Sequence, residues 1–375
     1  MKSLQRMLKF VAPYTRDAVL ALILLLGVVA ADLGIPRLTQ RVIDAGIAQG
    51  DMRVVITTSL LMMVAAVVSA LFSIGNTILS VRVGQNLGAD LRGAIVRKVQ
   101  SFSFGNLDDL QTGQLIVRAT SDVTQVQMII MMALRILTRA PLWLLGSVVM
   151  LALNSPQLVP LMAVLMGAVL ILIAFFLTRA RPLFMVVQEK LDRLNEVLQE
   201  NLSGIRVVKA FVRTDHEIER FEAANEDLTA QQVRVMQMLA FLFPTLTLII
   251  NFGIAGVIWI GGQGVAAGTA SAGQIVASFN YLTFSLFPMV MLAGMMGPLS
   301  AADASAGRTL EVLDSEPEVK DTPSRELPET VAGRVSFEDV CFGYDGEDCG
   351  EPVLDHVNLV AEPGQTVAIL GATGS

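Results

Sequence analysis

The sequence predicts an all-α membrane protein: six transmembrane helices with long cytoplasmic helical extensions, followed by the first β-strands of a second domain. Three observations predict it. Of the 375 residues, 53% are hydrophobic and only 16% charged, with a mean hydropathy of +0.60, whereas a soluble domain carries roughly a quarter charged residues. Six stretches reach the roughly 20 mostly apolar residues that crossing a bilayer requires. Beyond residue 334 the hydrophobic period changes from helical to alternating. The net charge of −7 hides a matching asymmetry: residues 1–310 hold 24 Lys and Arg against 19 Asp and Glu, and residues 311–375 hold 3 against 15.

The predicted spans cover about 17–36, 54–80, 128–153, 157–178, 237–260 and 273–299. The basic start of the chain (Lys2, Arg6, Lys9, Arg16) leads into the first span with no small-residue cleavage site, so that span reads as retained rather than as a removable signal. A soluble bundle is excluded by runs such as 18–31, which leave no polar face. Spans three and four are joined by Asn154-Ser155-Pro156-Gln157, and spans five and six by the uncharged 261–273 segment. The loops 81–127 and 179–236 are long and charged, with five and nine Lys and Arg. Despite Arg37, Arg41 and Arg53 in the first short loop, this bias puts both long loops and both termini in the cytoplasm.

Within the second long loop Leu191, Leu194, Leu198 and Ile205 repeat at helical spacing among Glu189, Lys190, Arg193 and Glu196, which predicts an amphipathic rod packed along one stripe. Spans two to five are therefore expected to run on beyond the lipid as two arms. The arms turn at polar segments 105–113, which include Asp108 and Asp109, and 211–218, which include Phe211 and Asp215. An arm with an apolar stripe and no cytoplasmic partner would expose it, so something must dock there.

The membrane domain ends near residue 310, and a linker punctuated by Pro317, Pro323 and Pro328 occupies 311–333. Residues 334–375 then alternate: Val335, Phe337, Val340 and Phe342, later Val357 and Leu359. Gln365–Leu370 is predicted to be a buried strand behind the Pro363-Gly364 turn, running into Gly371-Ala372-Thr373-Gly374-Ser375. A strand followed by such a glycine-framed segment opens a phosphate-binding loop, because backbone N–H groups converge on an anion only where no Cβ intrudes; an ordinary strand and turn gives the same five residues. Tyr344, 27 residues upstream, either stacks on a purine or closes a sheet edge. Cys341 and Cys349 have no metal-ligand spacing and read as reduced thiols.

Several stretches in fixed order resemble the exporter class of ABC transporters, most closely the bacterial multidrug-type half-transporters. They are Ile35-Pro36 with Val42-Ile43-Asp44, Thr112–Val123, Asn201–Phe211, Ala302–Asp314 and Val335–Tyr344. The resemblance implies that Tyr344, Gly371, Thr373, Gly374 and Ser375 contact ATP, with Mg²⁺ at the phosphates. It implies that residues near Asp108, Asp109, Phe211 and Asp215 form coupling segments pressed into nucleotide-binding domains. The partners it implies are a second half-transporter (identical or different), membrane lipid and a small-molecule substrate, with no nucleic acid, and the location is the cytoplasmic membrane. The remaining catalytic motifs of the family are expected beyond Ser375, so these 375 residues are expected not to hydrolyse ATP. Within the spans Asn76, Asn251, Asn280, Arg135 and Arg139 are candidates for the substrate path. Interhelical hydrogen bonds for the asparagines, and snorkelling for the arginines, are the competing readings. Met289, Met291, Met295 and Met296 with Phe279, Phe284 and Phe287 give span six a deformable apolar surface. A secondary transporter would place an acid at midplane, and spans two to six show none; a sensor would not need paired arms.

Overall fold

The computed structural model describes residues 2–103, 105–106, 112–317, 332–343 and 353–372, and the chain forms two compact units, Met1–Glu318 and Val319–Ser375. In the first unit six helices are long and apolar enough to cross a membrane: α1 Ser3–Ile47, α2 Met52–Gln100, α3 Thr112–Asn154, α4 Pro156–Ser203, α5 Thr214–Ala266 and α6 Ala272–Asp314. Each helix outruns the apolar stretch inside it. At 1.5 Å per residue a helix of 48 residues such as α4 reaches about 72 Å, more than twice the ~30 Å hydrocarbon core. The surplus makes the arms.

Burial along α2 shows the change of solvent. Leu60, Leu61, Met63, Leu71 and Ile74 are exposed on the membrane half, where lipid replaces a packing partner. Farther along, Val83, Leu87, Leu91 and Ile95 are buried at spacings of four, because in water the apolar stripe must be covered. Gly84 and Gly88 sit in that stripe. A Cβ on Gly84 would run into Met131 and one on Gly88 into Gln127, so the two glycines set how closely α2 approaches α3.

Two hydrophobic cores result. The inner one gathers Met7, Val83, Leu87, Val126, Ile130 and Ala306 from α1, α2, α3 and α6. The outer one gathers Leu33, Leu151, Met162, Val257, Tyr281 and Leu286, bringing in α4 and α5. Toward the arm ends α4 and α5 pair with each other: Gln231 donates to Leu183 O (3.5 Å), Lys190 pairs with Asp227 (2.6 Å), and Val197 and Phe221 line one cavity between the two helices. Val197 takes the buried place expected of Leu198. Leu198 (37% exposed) and Ile205 (39%) line a cavity between the two arm helices with Val208, Ile218 and Phe221.

Breaks in the rods have local causes. Pro244 has no N–H to offer the carbonyl of Ala240, and α5 breaks at Phe241; Pro298 stands in the same relation to Gly294, and α6 breaks at Met295. Three π-helical segments, Val42–Ile47, Arg118–Asp122 and Ala133–Leu137, interrupt α1 and α3. The second arm reverses earlier than expected. After Gly204 comes a short helix, Ile205–Ala210, then a turn in which Val212 takes φ 52°, and α5 starts at Thr214. Phe211 thus lies in the turn and Asp215 already in the first turn of α5.

In the second unit β1 (Val335–Phe342) pairs antiparallel with β2 (Leu354–Ala361), in the register Val335 to Ala361 and Phe342 to Leu354. The register slips around Val340, where Asp339 and its cross-strand neighbour His356 adopt positive φ. Gln365–Leu370 is not a strand, and Ile369 and Leu370 are exposed, against expectation. A strand persists only when a neighbour takes its N–H and C=O groups. Among the described residues β1 and β2 satisfy each other, and nothing pairs with 365–370.

Candidate functional site

The expected path residues separate in three dimensions. Asn76, Arg135 and Arg139 line one cavity of about 230 Å³ between α1, α2, α3 and α6, walled by Leu25, Val28, Trp143, Phe287 and Met291. Asn251 is exposed on α5, and Asn280 donates to Val276 O of its own helix (2.9 Å); neither lines the cavity. Asn76 is buried and donates to Ala21 O (2.8 Å) and Leu134 O (3.3 Å), so it pins α2 to α1 and α3 while lining the cavity.

The acid that organises the cavity is Asp32 of α1. Its Oδ2 accepts from Arg139 Nη2 at 2.9 Å and from Trp143 Nε1 at 3.1 Å, and its Oδ1 from Ser69 Oγ at 3.2 Å. The Arg139 guanidinium lies 4.1 Å from the Trp143 ring centroid, and that ring stacks on Phe284 at 5.6 Å. A carboxylate inside an apolar span persists because three donors replace its water. Arg139 is therefore held inside the bundle and does not snorkel. Arg135, in the π segment four residues earlier, is exposed and has no ion-pair or hydrogen-bond partner among the described residues.

Two further polar clusters tie the helices at their ends. At one end Asp44 accepts from Ser271 Oγ and from Gly273 N (2.8 Å), and Gln274 Nε2 reaches Asn154 O (3.2 Å). At the other end the buried carboxylate of Asp122 takes both Nε (2.9 Å) and Nη2 of Arg308, while Arg118 pairs with Glu311 at 3.1 Å. Arg118 and Asp122 sit on the other π segment of α3, so charged groups accompany both irregular turns of that helix.

Of the remaining expected residues, Phe211 is 74% exposed and Asp215 is exposed at the second reversal. Asp108, Asp109, Tyr344, Thr373, Gly374 and Ser375 lie outside the described residues. Gly371 is exposed in irregular backbone. One glycine does not make an anion cradle, so nucleotide and Mg²⁺ have no defined seat among the described residues.

The family model for the ABC transporter transmembrane region matches residues 18–289, the stretch that holds both arms and every lining residue of the cavity except Met291. The chain belongs to this family. An uncharacterized ABC transporter ATP-binding protein of Bacillus subtilis, YfiB, is 34% identical over 377 residues, 99% of this chain and 64% of its own length. A fatty acid ABC transporter ATP-binding/permease protein of Mycobacterium bovis is 35% identical over 286 residues, 76% of this chain and 44% of its own. An ATP-dependent lipid A-core flippase of Desulfotalea psychrophila is 31% identical over 300 residues, 78% and 50% respectively. The chain thus spans less than two thirds of the length of these relatives.

In this ABC transporter chain, sequence reasoning found both arginines of the cavity but missed Asp32, Ser69 and Trp143. A signal for Asp32 was present: it is an ionisable residue inside the apolar stretch 17–36, and such residues face a cavity or a partner. Trp143 carried no comparable signal, because an aromatic within a span serves lipid and cavity alike.

Proposed function

We propose that the chain is the membrane-spanning half of an ATP-driven exporter that moves amphipathic small molecules across the cytoplasmic membrane by alternating access. The observation that carries this reading is the cavity among α1, α2, α3 and α6, whose wall combines the guanidinium groups of Arg135 and Arg139 with apolar Phe287 and Met291. An amphipath needs such a mixed surface. The working unit is two such halves, and the exposed Phe211 and Val212 at the tip of the α4–α5 arm are where apolar surface awaits a docked domain. Coupling then runs through Asp108, Asp109, Phe211 and Asp215, and ATP with Mg²⁺ is held by Tyr344, Gly371, Thr373, Gly374 and Ser375. ATP biases the cycle by binding one conformation better than the other.

A lipid-like cargo is the second reading, favoured by relatives whose names specify a fatty acid and a lipid A core. The test is ATP-dependent accumulation of an amphipathic dye in inside-out vesicles carrying the full-length protein. Accumulation that needs ATP supports export. Equal uptake with and without ATP, for dyes and for labelled lipids, would end it.

A further inference from the structure

We infer that the cavity binds the acidic headgroup of a single-chain amphipath, with Arg135 as the docking cation and Asp32 as the internal anion that the ligand must compete against. This deepens the exporter reading and rests on it.

The argument begins with charge. Two guanidinium groups line the cavity and no carboxylate does, because Asp32 sits behind Arg139 and is not part of the wall. Asp32 neutralises one of the two cations, which leaves a net positive cavity. Arg135 is the cation in excess, with no partner among the described residues. A guanidinium offers paired donors to a carboxylate or phosphate, repels a quaternary ammonium, and gains little from an uncharged group.

The apolar wall sets the rest of the ligand. Beyond the two arginines the wall holds no charged group: Ser73, Asn76 and Thr77 are its uncharged polar members, and Leu25, Val28, Phe287 and Met291 are apolar. The volume, about 230 Å³, is below the roughly 300–1,000 Å³ of sites for drug-sized ligands. It takes a headgroup and the first part of a chain.

Trp143 makes this measurable, because it lines the cavity and the chain has only one other tryptophan, Trp259. With every tryptophan except Trp143 replaced by Phe in the full-length protein, held without nucleotide in phosphatidylcholine nanodiscs at alkaline pH, brominated acyl chains quench Trp143 on contact. Four probes share one dibromostearyl chain: the carboxylate, a lysophosphatidic acid, a trimethylammonium and the alcohol. The two anions should half-quench at about tenfold lower concentration than the cation or the alcohol, a difference of about 1.4 kcal/mol. Quenching by only one of the anions names carboxylate or phosphate as the headgroup. Arg135→Gln, an exposed position, should bring the anions to the level of the alcohol and leave the alcohol unchanged. Asp32→Asn should shift the anions to lower concentration still, because it removes their competitor; a purely structural Asp32 would weaken all four alike. Equal quenching by cation and anion, or no effect of Arg135→Gln, overturns the inference. The measurement uses no nucleotide. Selective quenching without transport in the full-length protein would therefore sink the exporter reading alone, and transport without selective quenching would sink this one alone.

Discussion

Arg308 and Asp122 carry opposite charges in unequal surroundings, which makes their pair a test of how burial sets energy. The Asp122 side chain is 3% exposed and that of Arg308 49%. Removing Arg308 strands a carboxylate in the inner core, a situation that costs about 3–5 kcal/mol. Removing Asp122 releases a half-solvated guanidinium, for which about 1–2 kcal/mol is the expected scale. Thermal unfolding in detergent should therefore show a larger loss for Arg308→Ala than for Asp122→Ala. The double variant should lose less than the sum of the two. A larger loss for Asp122→Ala would mean that water reaches that carboxylate. At this scale the sequence was partly legible. Arg135 and Arg139 stood out as charges in an apolar run, but the acceptor that holds Arg139 in place, Asp32, comes from α1 and is itself tied to Ser69 of α2. The pairing of Asp32 with Arg139 joins residues 107 apart, and no local pattern links them.

Helices were the most legible level. Six apolar stretches, their flanking charge and the seam spacing in the arms reflect chain-local physics: an unpaired backbone is excluded from lipid, and an uncovered apolar stripe from water. Gly84 and Gly88 carry tertiary information that periodicity does not. Gly84→Val would push a branched side chain into Met131 and force α2 from α3, and overpacking of this kind costs about 1–3 kcal/mol. Gly167→Val in α4 meets nothing within 4 Å and serves as the control. The expected result is a lower unfolding temperature for Gly84→Val alone. Equal shifts would place the effect in helix propensity rather than packing. The exact reversal of the second arm escaped the sequence because the polar 211–218 segment reads as a turn throughout, whereas the chain turns within Phe211–Arg213 and Thr214 already opens α5.

For the whole molecule the outstanding question is topology, which rests on the positive-inside bias. With Cys341 and Cys349 replaced by Ser, single cysteines introduced as Arg213→Cys and Ala267→Cys report opposite sides. An impermeant thiol reagent added to intact cells should label Ala267→Cys and leave Arg213→Cys unmodified until the cells are opened. Labelling of Arg213→Cys from outside would invert the orientation and with it the direction of transport.

The sequence by itself determined the class: six spans, two charged arms, a change of period beyond residue 334, and motifs that resemble ABC exporters along the chain. These follow from interactions between a residue and its solvent, or between a residue and its neighbours three or four positions away. Tertiary structure alone decided which polar residues share a cavity, why Asp32 can remain among apolar helices, and that Asn251 and Asn280 lie elsewhere. It also decided that, among the described residues, 335–342 and 354–361 pair as strands and 365–370 does not join them. Each of these outcomes depends on a partner brought in from a distant part of the chain. A buried charge or a strand edge is stable only once that partner has arrived.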